Sequence, residues 1–429
     1  MTLCSIDNIA FGGEGVGRVD GLVLFVPFTL PGELTEVQIH RKKNTFAKAK
    51  LIKIIKANAD RVIPPCPYFS KCGGCQLQHA SYPLQLQLKK RFIEDSLKRI
   101  GKIEFDIPSV IPSSTPFAYR RHITLKLKLD GDCFKLGFTT LEGTHLPVYS
   151  CLLLNTDQDP ILPFLQTLFS KIDPLLPLSE SSIKILKDIH NRYLIACTFS
   201  SSLPSKELKL LKNELSLLDA LSGFILKTPT QSFEAGEITP YFVHKGLTFH
   251  YSPFGFIQNH PEQSEKIYNW IVQSNLHAKK ILDLYCGIGV SSLLLAKENK
   301  QVQGVELNPV SIELAIQNAK NNQINEVQFF CASAETSTRE RLHIFQPDTL
   351  IVNPPKAGIP LEVLKDICKS SLTTITYISC NPPTLARDLS YLLNNGFIIE
   401  NILAFDMFPQ TTHVETVVKL ARKKITAHF

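Results

Sequence analysis

Two residues in the C-terminal part of the chain have side chains suited to covalent and acid–base chemistry. Cys380 ends an apolar run and is followed by a proline turn and the start of a helix. A thiolate there can act as a nucleophile, although a cysteine at the end of a strand is more often a small buried apolar side chain. Glu415 opens another apolar run. Its carboxylate can be a base that faces the same cleft, or a surface group in a salt bridge.

A glycine-rich turn follows an earlier apolar run and is typical of a ligand-binding loop. The run contains Asp283, and Gly287 and Gly289 follow it, so the backbone can approach a ligand without interference from a Cβ atom. Glu306 stands 23 residues after Asp283, where an acidic side chain can accept hydrogen bonds from ribose hydroxyls. Ser292 replaces the third glycine of a dinucleotide fingerprint. The pattern therefore favours a nucleoside without phosphates, such as S-adenosylmethionine.

Three cysteines lie within ten residues of one another around a Gly-Gly pair: Cys66, Cys72 and Cys75. This spacing indicates metal ligation rather than packing, and zinc is a candidate because sets of four cysteines hold it well. The chain has 11 cysteines, an odd number, and its start lacks the basic and apolar regions of a secretory signal. We therefore expect reduced thiols in a cytoplasmic protein rather than a disulfide framework.

From about residue 280, strand patterns alternate with helix patterns. These elements must position Cys380, Glu415 and the glycine turn. This alternation predicts a doubly wound, mostly parallel, Rossmann-like α/β domain, in which ligands bind at the carboxyl ends of the strands. We therefore expect the glycine turn and Cys380 at one edge of the sheet. The seven predicted strands are 281–285, 302–307, 327–332, 349–353, 376–379, 398–405 and 414–420.

The rest of the chain divides into two further regions. Short strands and a glycine-rich bend over 12–18 predict a small β-barrel of the oligonucleotide-binding type at the N-terminus. The middle of the chain mixes strands and helices, which predicts an α+β domain carrying the cysteine cluster; a helix at about 83–100 can pack on the last domain. The predicted domains are residues 1–57, 58–250 and 251–429.

The charge of the chain is concentrated in one segment. The net charge is +7, and residues 61–130 hold 12 Lys and Arg against 5 Asp and Glu. Such a segment can bind a polyanion, or it can be a solvated helix face, and the charge alone does not separate the two. No apolar stretch approaches the roughly 18 residues that a membrane span needs, so an integral membrane protein is excluded.

Four ordered motifs resemble those of the S-adenosylmethionine-dependent RNA uracil-5-methyltransferases. The N-terminal 57 residues also resemble the TRAM RNA-binding module, so the resemblance covers essentially all 429 residues. The four motifs are Phe256-Ile257-Gln258-Asn259, the loop over 283–289, Ser379-Cys380-Asn381-Pro382 with Leu385-Ala386-Arg387-Asp388, and Phe408-Pro409-x-Thr411-x-His413-Val414-Glu415.

The resemblance implies a covalent mechanism. Uracil C5 is a poor nucleophile toward a methyl sulfonium, and a thiolate that adds to C6 turns the ring into an enolate whose C5 can attack. The resemblance assigns Cys380 as this nucleophile and Glu415 as the base that removes the C5 proton so that the thiolate can leave. A thiol with an ordinary pKa of ~8.5 needs local stabilisation, and the sequence does not identify the group that provides it.

The resemblance also implies the cofactor residues. It assigns Gln258, Tyr285 and Glu306 to S-adenosylmethionine, with Gly287 and Gly289 shaping the loop. The family usually has Asp-Pro-Pro-Arg where this chain has Asn353-Pro354-Pro355-Lys356. Asparagine keeps the shape and one acceptor but loses the charge, and amino-group methyltransferases use a similar Asn-Pro-Pro motif. We expect Asn353 to lie beside the cofactor or the substrate.

For the cysteine cluster, the resemblance implies a [4Fe–4S] cluster in place of zinc. Cys151 is then the fourth ligand beside Cys66, Cys72 and Cys75, and the nearby Cys133 is the rival for that role. The cluster is expected to have a structural role, because uracil methylation as described needs no electron transfer.

The TRAM-like module and the cysteine cluster together make the chain most similar to enzymes that act on 23S ribosomal RNA; transfer RNA is the second candidate. The target uracil is expected to leave its stack and enter the cleft of a monomeric enzyme. Two rival interpretations remain open. One is a non-catalytic RNA-binding protein on a methyltransferase scaffold, and the other is an amino methyltransferase.

Overall fold

A computed structural model describes residues 1–154 and 159–423 of the chain, and it begins with the predicted β-barrel. The strands close in the order β1-β2-β3-β5-β4, which confirms the barrel. They are β1 (Thr2–Ile9), β2 (Glu14–Val19), β3 (Leu22–Pro27), β4 (Leu34–Lys42) and β5 (Phe46–Lys56).

The glycine-rich bend predicted over 12–18 is wrong for most of its length, because β2 begins at Glu14. Two of its glycines are explained by close packing inside the barrel. A Cβ atom on Gly15 would lie 1.9 Å from Oγ1 of Thr29, and one on Gly17 would lie 2.2 Å from the carbonyl oxygen of Ser5. These glycines therefore allow strands to approach closely rather than turn.

A single helix joins the barrel to the rest of the protein. It is α1 (Tyr82–Ser96), which continues as one wider turn over Leu97–Gly101. The Ser81 hydroxyl caps its N-terminus by accepting a hydrogen bond from the Leu84 amide at 3.4 Å. Ile93 and Leu97 are buried in the same core as Leu385 of the last domain, so this helix packs on that domain.

The central region forms a seven-stranded mixed sheet in the order β12-β11-β10-β9-β6-β7-β8. Its two helices pack on the sheet in a core of their own. The elements are β6 (His122–Asp130), β7 (Cys133–Thr139), β8 (His145–Pro147), α2 (Ile161–Ser170), β9 (Ser182–Lys187), β10 (Tyr193–Thr198), α3 (Ser205–Ser216), β11 (Leu221–Lys227) and β12 (Ser232–Gly236).

A hairpin and a second seven-stranded sheet complete the described chain. The predicted Rossmann-like fold and its seven strands are confirmed. The elements are β13 (Tyr241–His244), β14 (Leu247–His250), α4 (Pro261–Ser274), β15 (Lys280–Leu284), α5 (Val290–Ala296), β16 (Gln301–Glu306), α6 (Pro309–Asn321), β17 (Val327–Cys331), α7 (Ala334–Ile344), β18 (Thr349–Val352), α8 (Leu361–Lys369), β19 (Thr374–Ser379), α9 (Pro382–Asn394), β20 (Phe397–Phe405) and β21 (Glu415–Arg422).

The order of this sheet, β17-β16-β15-β18-β19-β21-β20, creates the functional edge. The first five strands are parallel, and the chain changes direction across the sheet between β15 and β18, where a crevice opens at the carboxyl ends. β21 enters antiparallel between β19 and β20. The first residue of β21 therefore lies at the same edge as the last residues of β19.

Within the described ranges, we find no helix that is both long enough and apolar enough to cross a membrane.

Candidate active site

The thiol of Cys380 and the carboxyl of Glu415 are brought together by the register of two strands. Ser379, the last residue of β19, pairs with Thr416 in β21, so the residues next to them in the chain are neighbours. Glu415 is 3% exposed, and burial raises the pKa of its carboxyl to about 8. Burial, and then the nearby Glu415 charge, raise the pKa of the half-buried Cys380 thiol to about 11.

Lys356 is a site residue whose role the sequence did not reveal. Its charge opposes the rise in the pKa of Cys380. The loop that carries it is fixed beside Cys380, because the Lys356 carbonyl accepts hydrogen bonds from Nδ2 of Asn381 at 2.9 Å and from Oγ1 of Thr384 at 3.1 Å. Lys356 is therefore the candidate for the cation that favours a thiolate at Cys380.

Asp388 explains the Leu-Ala-Arg-Asp motif. Its buried carboxylate accepts hydrogen bonds from the Tyr377 hydroxyl at 2.7 Å and from the Ile359 amide at 2.8 Å. Gly358 has a φ of +82°, and a Cβ atom there would lie 2.5 Å from the Asp388 carboxylate. Asp388 thus joins β19, α9 and the loop after β18, the three segments that surround Cys380.

Three of the predicted cofactor residues, Gln258, Tyr285 and Asn353, line one cavity at the β15–β18 crevice, together with Gly287 of the glycine turn. Tyr285 has a φ of +62°, a backbone conformation that is uncommon for residues other than glycine. Such strain is found where a backbone is held for binding. The other lining residues include Phe256, Ile267, Tyr268, Ser291, Ile378 and Met407.

Glu306 and Gly289, also predicted to serve the cofactor, are not among the residues that line this cavity; their contacts are with the glycine turn and with Phe329. One Glu306 oxygen accepts the Gly287 amide at 3.2 Å, and the other accepts the Asn308 amide at 2.9 Å. Gly289 has a φ of +81°, and a Cβ atom on it would lie 2.7 Å from the ring of Phe329. Only glycine fits there without displacement of that ring.

Asp283 also lines the cavity, and the residues around it explain Ser292. The carboxylate of Asp283 is buried and accepts hydrogen bonds from the Ser291 and Ser292 hydroxyls, each at 2.6 Å. Burial raises the pKa of Asp283 to about 6. The serine that stands in place of a third glycine therefore holds an acidic side chain at the base of the cavity.

The four cysteines assigned to the cluster, Cys66, Cys72, Cys75 and Cys151, line a second cavity in the central region. Arg120 lines it as well, whereas Cys133 is in β7 and is not among the lining residues. Burial raises the pKa of Cys75 to about 12 and also raises that of Cys72. In the described ranges, no group of three or more His, Cys, Asp or Glu side chains is arranged to hold a metal ion. The donor set fits a cluster, but its geometry is not that of a formed site.

The basic segment over 61–130 is not a single charged surface. Lys89 is fully buried and forms an ion pair with Asp406. Arg121 stacks over the rings of Phe242 and Tyr251 at 4.7 and 5.6 Å. Lys89 is one of the 12 Lys and Arg of this segment, and the expectation that it is solvated or free to bind a polyanion is wrong, because buried Asp406 neutralises its charge.

The Rossmann-like sheet, with its antiparallel seventh strand and the cavity beside its glycine turn, defines a methyltransferase fold. The family model described as "tRNA (Uracil-5-)-methyltransferase" matches residues 242–423, and the TRAM domain model matches residues 5–52. A Protochlamydia amoebophila protein described as an "Uncharacterized RNA methyltransferase" is 40% identical over 97% of this chain and 96% of that protein. One from Listeria monocytogenes is 31% identical over 97% and 96%. The chain belongs to the RNA uracil-5-methyltransferase family.

A solved structure shares the whole architecture. The crystal structure of the Pyrococcus abyssi tRNA (uracil-54, C5)-methyltransferase with S-adenosyl-L-homocysteine has a TM-score of 0.77 and 23% sequence identity. The similarity covers 97% of this chain and 100% of that one. At this identity, it establishes the fold.

Proposed function

We propose that this enzyme methylates C5 of a uridine in RNA with S-adenosylmethionine as the methyl donor. The observation that carries the proposal is the β19–β21 pairing, which brings a thiol and a buried carboxyl together at the ligand edge of the sheet. The cofactor, when bound, supplies its methyl group as an electrophile. A site built for an amino group has no use for this pair.

In the proposed reaction, the Cys380 thiolate adds to C6 of uracil, and the electron pair of the C5–C6 bond moves into an enolate. C5 then forms a bond to the methyl group while the bond between that group and the sulfonium sulfur breaks, and the electron pair of the broken bond stays on sulfur. C5 now holds both the methyl group and its original proton. The Glu415 carboxylate removes this proton, the double bond re-forms, and the thiolate leaves C6. Lys356 favours the thiolate, and Asp388 fixes the segments around it.

For the cofactor, we propose that Gln258, Tyr285 and Asn353 contact S-adenosylmethionine in the cavity at the crevice, with Gly287 and Gly289 allowing close approach. Glu306 is proposed to exchange its hydrogen bonds to backbone amides for bonds from the ribose hydroxyls. Asn353 keeps an acceptor at the cavity wall without the charge of an aspartate.

The test of the covalent step uses RNA that contains 5-fluorouridine. Fluorine takes the place of the C5 proton, and because a base cannot remove it, the adduct persists. With S-adenosylmethionine present, we expect a band that survives denaturation, and we expect it to disappear in Cys380→Ala. The matched control is Cys331→Ala, an exposed cysteine on β17. A missing adduct with the wild type, or one that persists in Cys380→Ala, contradicts the mechanism and favours one of the two rival interpretations.

The role of Glu415 has a separate test with ordinary RNA. Glu415→Gln should methylate the uracil but stall before release, so a methylated covalent complex should accumulate. Free turnover in this variant would remove Glu415 as the base.

We propose ribosomal RNA of the 23S type as the substrate, with transfer RNA as the second candidate, on the basis of the barrel combined with the cysteine cavity. A groove of about 980 Å³ lies between the barrel and the cysteine loop, which we define as residues 66–77. This groove supports an extended RNA contact. Lys50 and Lys71 line it together with Lys48, which is paired with Glu14 at 3.0 Å, and Phe25 offers a ring for stacking. Methyl incorporation into purified 23S ribosomal RNA and transfer RNA that lack the modification distinguishes the two substrates.

For the cysteine cavity, we propose a [4Fe–4S] cluster held by Cys66, Cys72, Cys75 and Cys151, with zinc as the alternative. Four thiols lining one cavity are the donor set that either group requires. Iron and sulfide analysis with a visible spectrum on anaerobically purified protein tests the assignment. Stoichiometric zinc without iron would overturn it, and loss of the signal in Cys133→Ser but not Cys151→Ser would exchange the fourth ligand.

A further inference from the structure

The loop between β20 and β21, residues 406–414, leads directly into Glu415 and is held by distant parts of the chain. At its centre Gln410 is 3% exposed and has a φ of +70°. A left-handed backbone is unfavourable for glutamine and persists only where the surroundings impose it. The contacts that impose it come from outside the Rossmann-like sheet.

The first set of contacts comes from the cysteine loop. The Gln410 carbonyl accepts hydrogen bonds from the amide of Gln76 at 3.1 Å and from the amide of Leu77 at 3.0 Å. These two residues directly follow Cys75, which lines the cysteine cavity. The cysteine cavity and the loop over 406–414 are therefore joined through one buried carbonyl, that of Gln410.

The second set of contacts comes from α1. The Gln410 amide donates to Oε1 of Gln85 at 3.0 Å, and Nε2 of Gln85 donates back to Oε1 of Gln410 at 3.0 Å. Gln85 is 1% exposed, so this reciprocal pair is shielded from water. Nearby, Nζ of Lys89 donates to the Phe408 carbonyl at 2.9 Å.

Internal hydrogen bonds restrain the segment between Gln410 and Glu415. The Thr411 hydroxyl donates to the Phe408 carbonyl at 2.8 Å, and the His413 amide donates to the Thr411 hydroxyl at 3.2 Å. A displacement at Gln410 is therefore passed along a short, internally bonded segment to the carboxyl of Glu415.

We propose that the cysteine loop and Gln85 are a positioning device for the base: they hold Gln410 in its strained conformation and thereby fix Glu415 against the substrate. The inference rests on the proposed function, and it gives the cysteine cavity a role in one step of the reaction. Loosening this device at Gln85, which does not line the RNA groove, should slow proton removal from C5 while leaving RNA binding and attack by Cys380 intact.

The test compares Gln85→Leu and Cys75→Ser with the control Gln87→Leu, an exposed position on the same helix. With ordinary RNA and S-adenosylmethionine, the first two variants should accumulate methylated covalent complex, and kcat should fall about 100-fold. In Gln85→Leu, kcat/KM for RNA should be unchanged, because this ratio reports only the steps up to methyl transfer. Gln87→Leu should release product at the wild-type rate. Gln85→Asn, a smaller change, should give an intermediate fall and provides the test if the other variants fold poorly.

Hydrogen–deuterium exchange supplies a readout that does not depend on activity. In Gln85→Leu and in Cys75→Ser, amides of 408–415 should exchange faster, whereas those of β19 should not change. Wild-type protein that forms no 5-fluorouridine adduct overturns the proposed function and this inference with it. If the wild type forms the adduct but Gln85→Leu neither stalls nor exchanges faster, only the positioning role is overturned.

Discussion

The buried carboxyl of Glu415 should reduce the stability of the folded protein, and replacing Glu415 with Gln should recover that stability. The folded state keeps a proton up to about pH 8, whereas the unfolded chain releases it near 4.5. Between these two values, each pH unit costs the folded state about 1.4 kcal/mol, so stability from this group is lost as pH rises. At pH 7 the accumulated cost is about 3 kcal/mol, and at pH 5 it is below about 1 kcal/mol.

Glutamine has nearly the shape of the protonated glutamic acid and carries no proton that titrates in this pH range. Glu415→Gln should therefore be more stable than the wild type by about 3 kcal/mol at pH 7, with most of the gain absent at pH 5. Urea unfolding at both pH values, monitored by the fluorescence of Trp270, measures the difference in the free energy of unfolding. This is the single tryptophan of the chain, and it lies on α4 in the same domain.

The control is Glu313→Gln, an exposed position on α6, which should change stability by less than about 0.5 kcal/mol at either pH. Equal midpoints for Glu415→Gln and the wild type at pH 7 would refute the reasoning, because a buried carboxyl with a raised pKa must destabilise the fold there. A gain of the same size at pH 5 and pH 7 would also refute it, since titration would then not be its cause.

Three further predictions concern the site and the groove. Lys356→Met should slow adduct formation at pH 7.5 about tenfold and move its pH profile upward, because the Cys380 thiolate loses a cation, whereas Lys356→Arg should keep the profile. Glu306→Gln should weaken the binding of S-adenosyl-L-homocysteine, measured by calorimetry, by about 1–3 kcal/mol. An unchanged affinity would contradict the assignment of Glu306 to the ribose. Lys50→Gln should reduce the slope of log affinity for RNA against log salt by about 1, and an unchanged slope would place RNA elsewhere.

The fold could be predicted from the sequence because its signals are local. Alternating apolar runs identify strands such as β15 and β19 wherever they later pair. The glycines of β2 misled the prediction, because close packing inside the barrel and a turn require the same residue. Lys89 misled it for a different reason. A lysine among basic neighbours looks solvated until the chain brings Asp406 against it from more than 300 residues away.

The site itself was predictable only as a set of residue types. That Cys380 and Glu415 lie at the same edge of the sheet depends on the antiparallel entry of β21, and no local pattern in the sequence specifies this direction. Lys356 was visible only as a departure from the family motif. Its place beside Cys380 depends on hydrogen bonds from Asn381 and Thr384 to its carbonyl.

The two raised pKa values at this edge fit the order of the proposed steps. A carboxylate at Glu415 would oppose formation of a thiolate at Cys380, and its charge does raise the pKa of that thiol. Burial keeps Glu415 protonated near pH 7, so the nucleophile forms without a neighbouring negative charge. Once Cys380 is bonded to C6 its charge has moved into the uracil ring, and after methylation that charge is gone. Glu415 is required as a base only at that stage. It first gives its own proton to solvent, an ionisation that the thiolate no longer opposes, and it then takes the C5 proton.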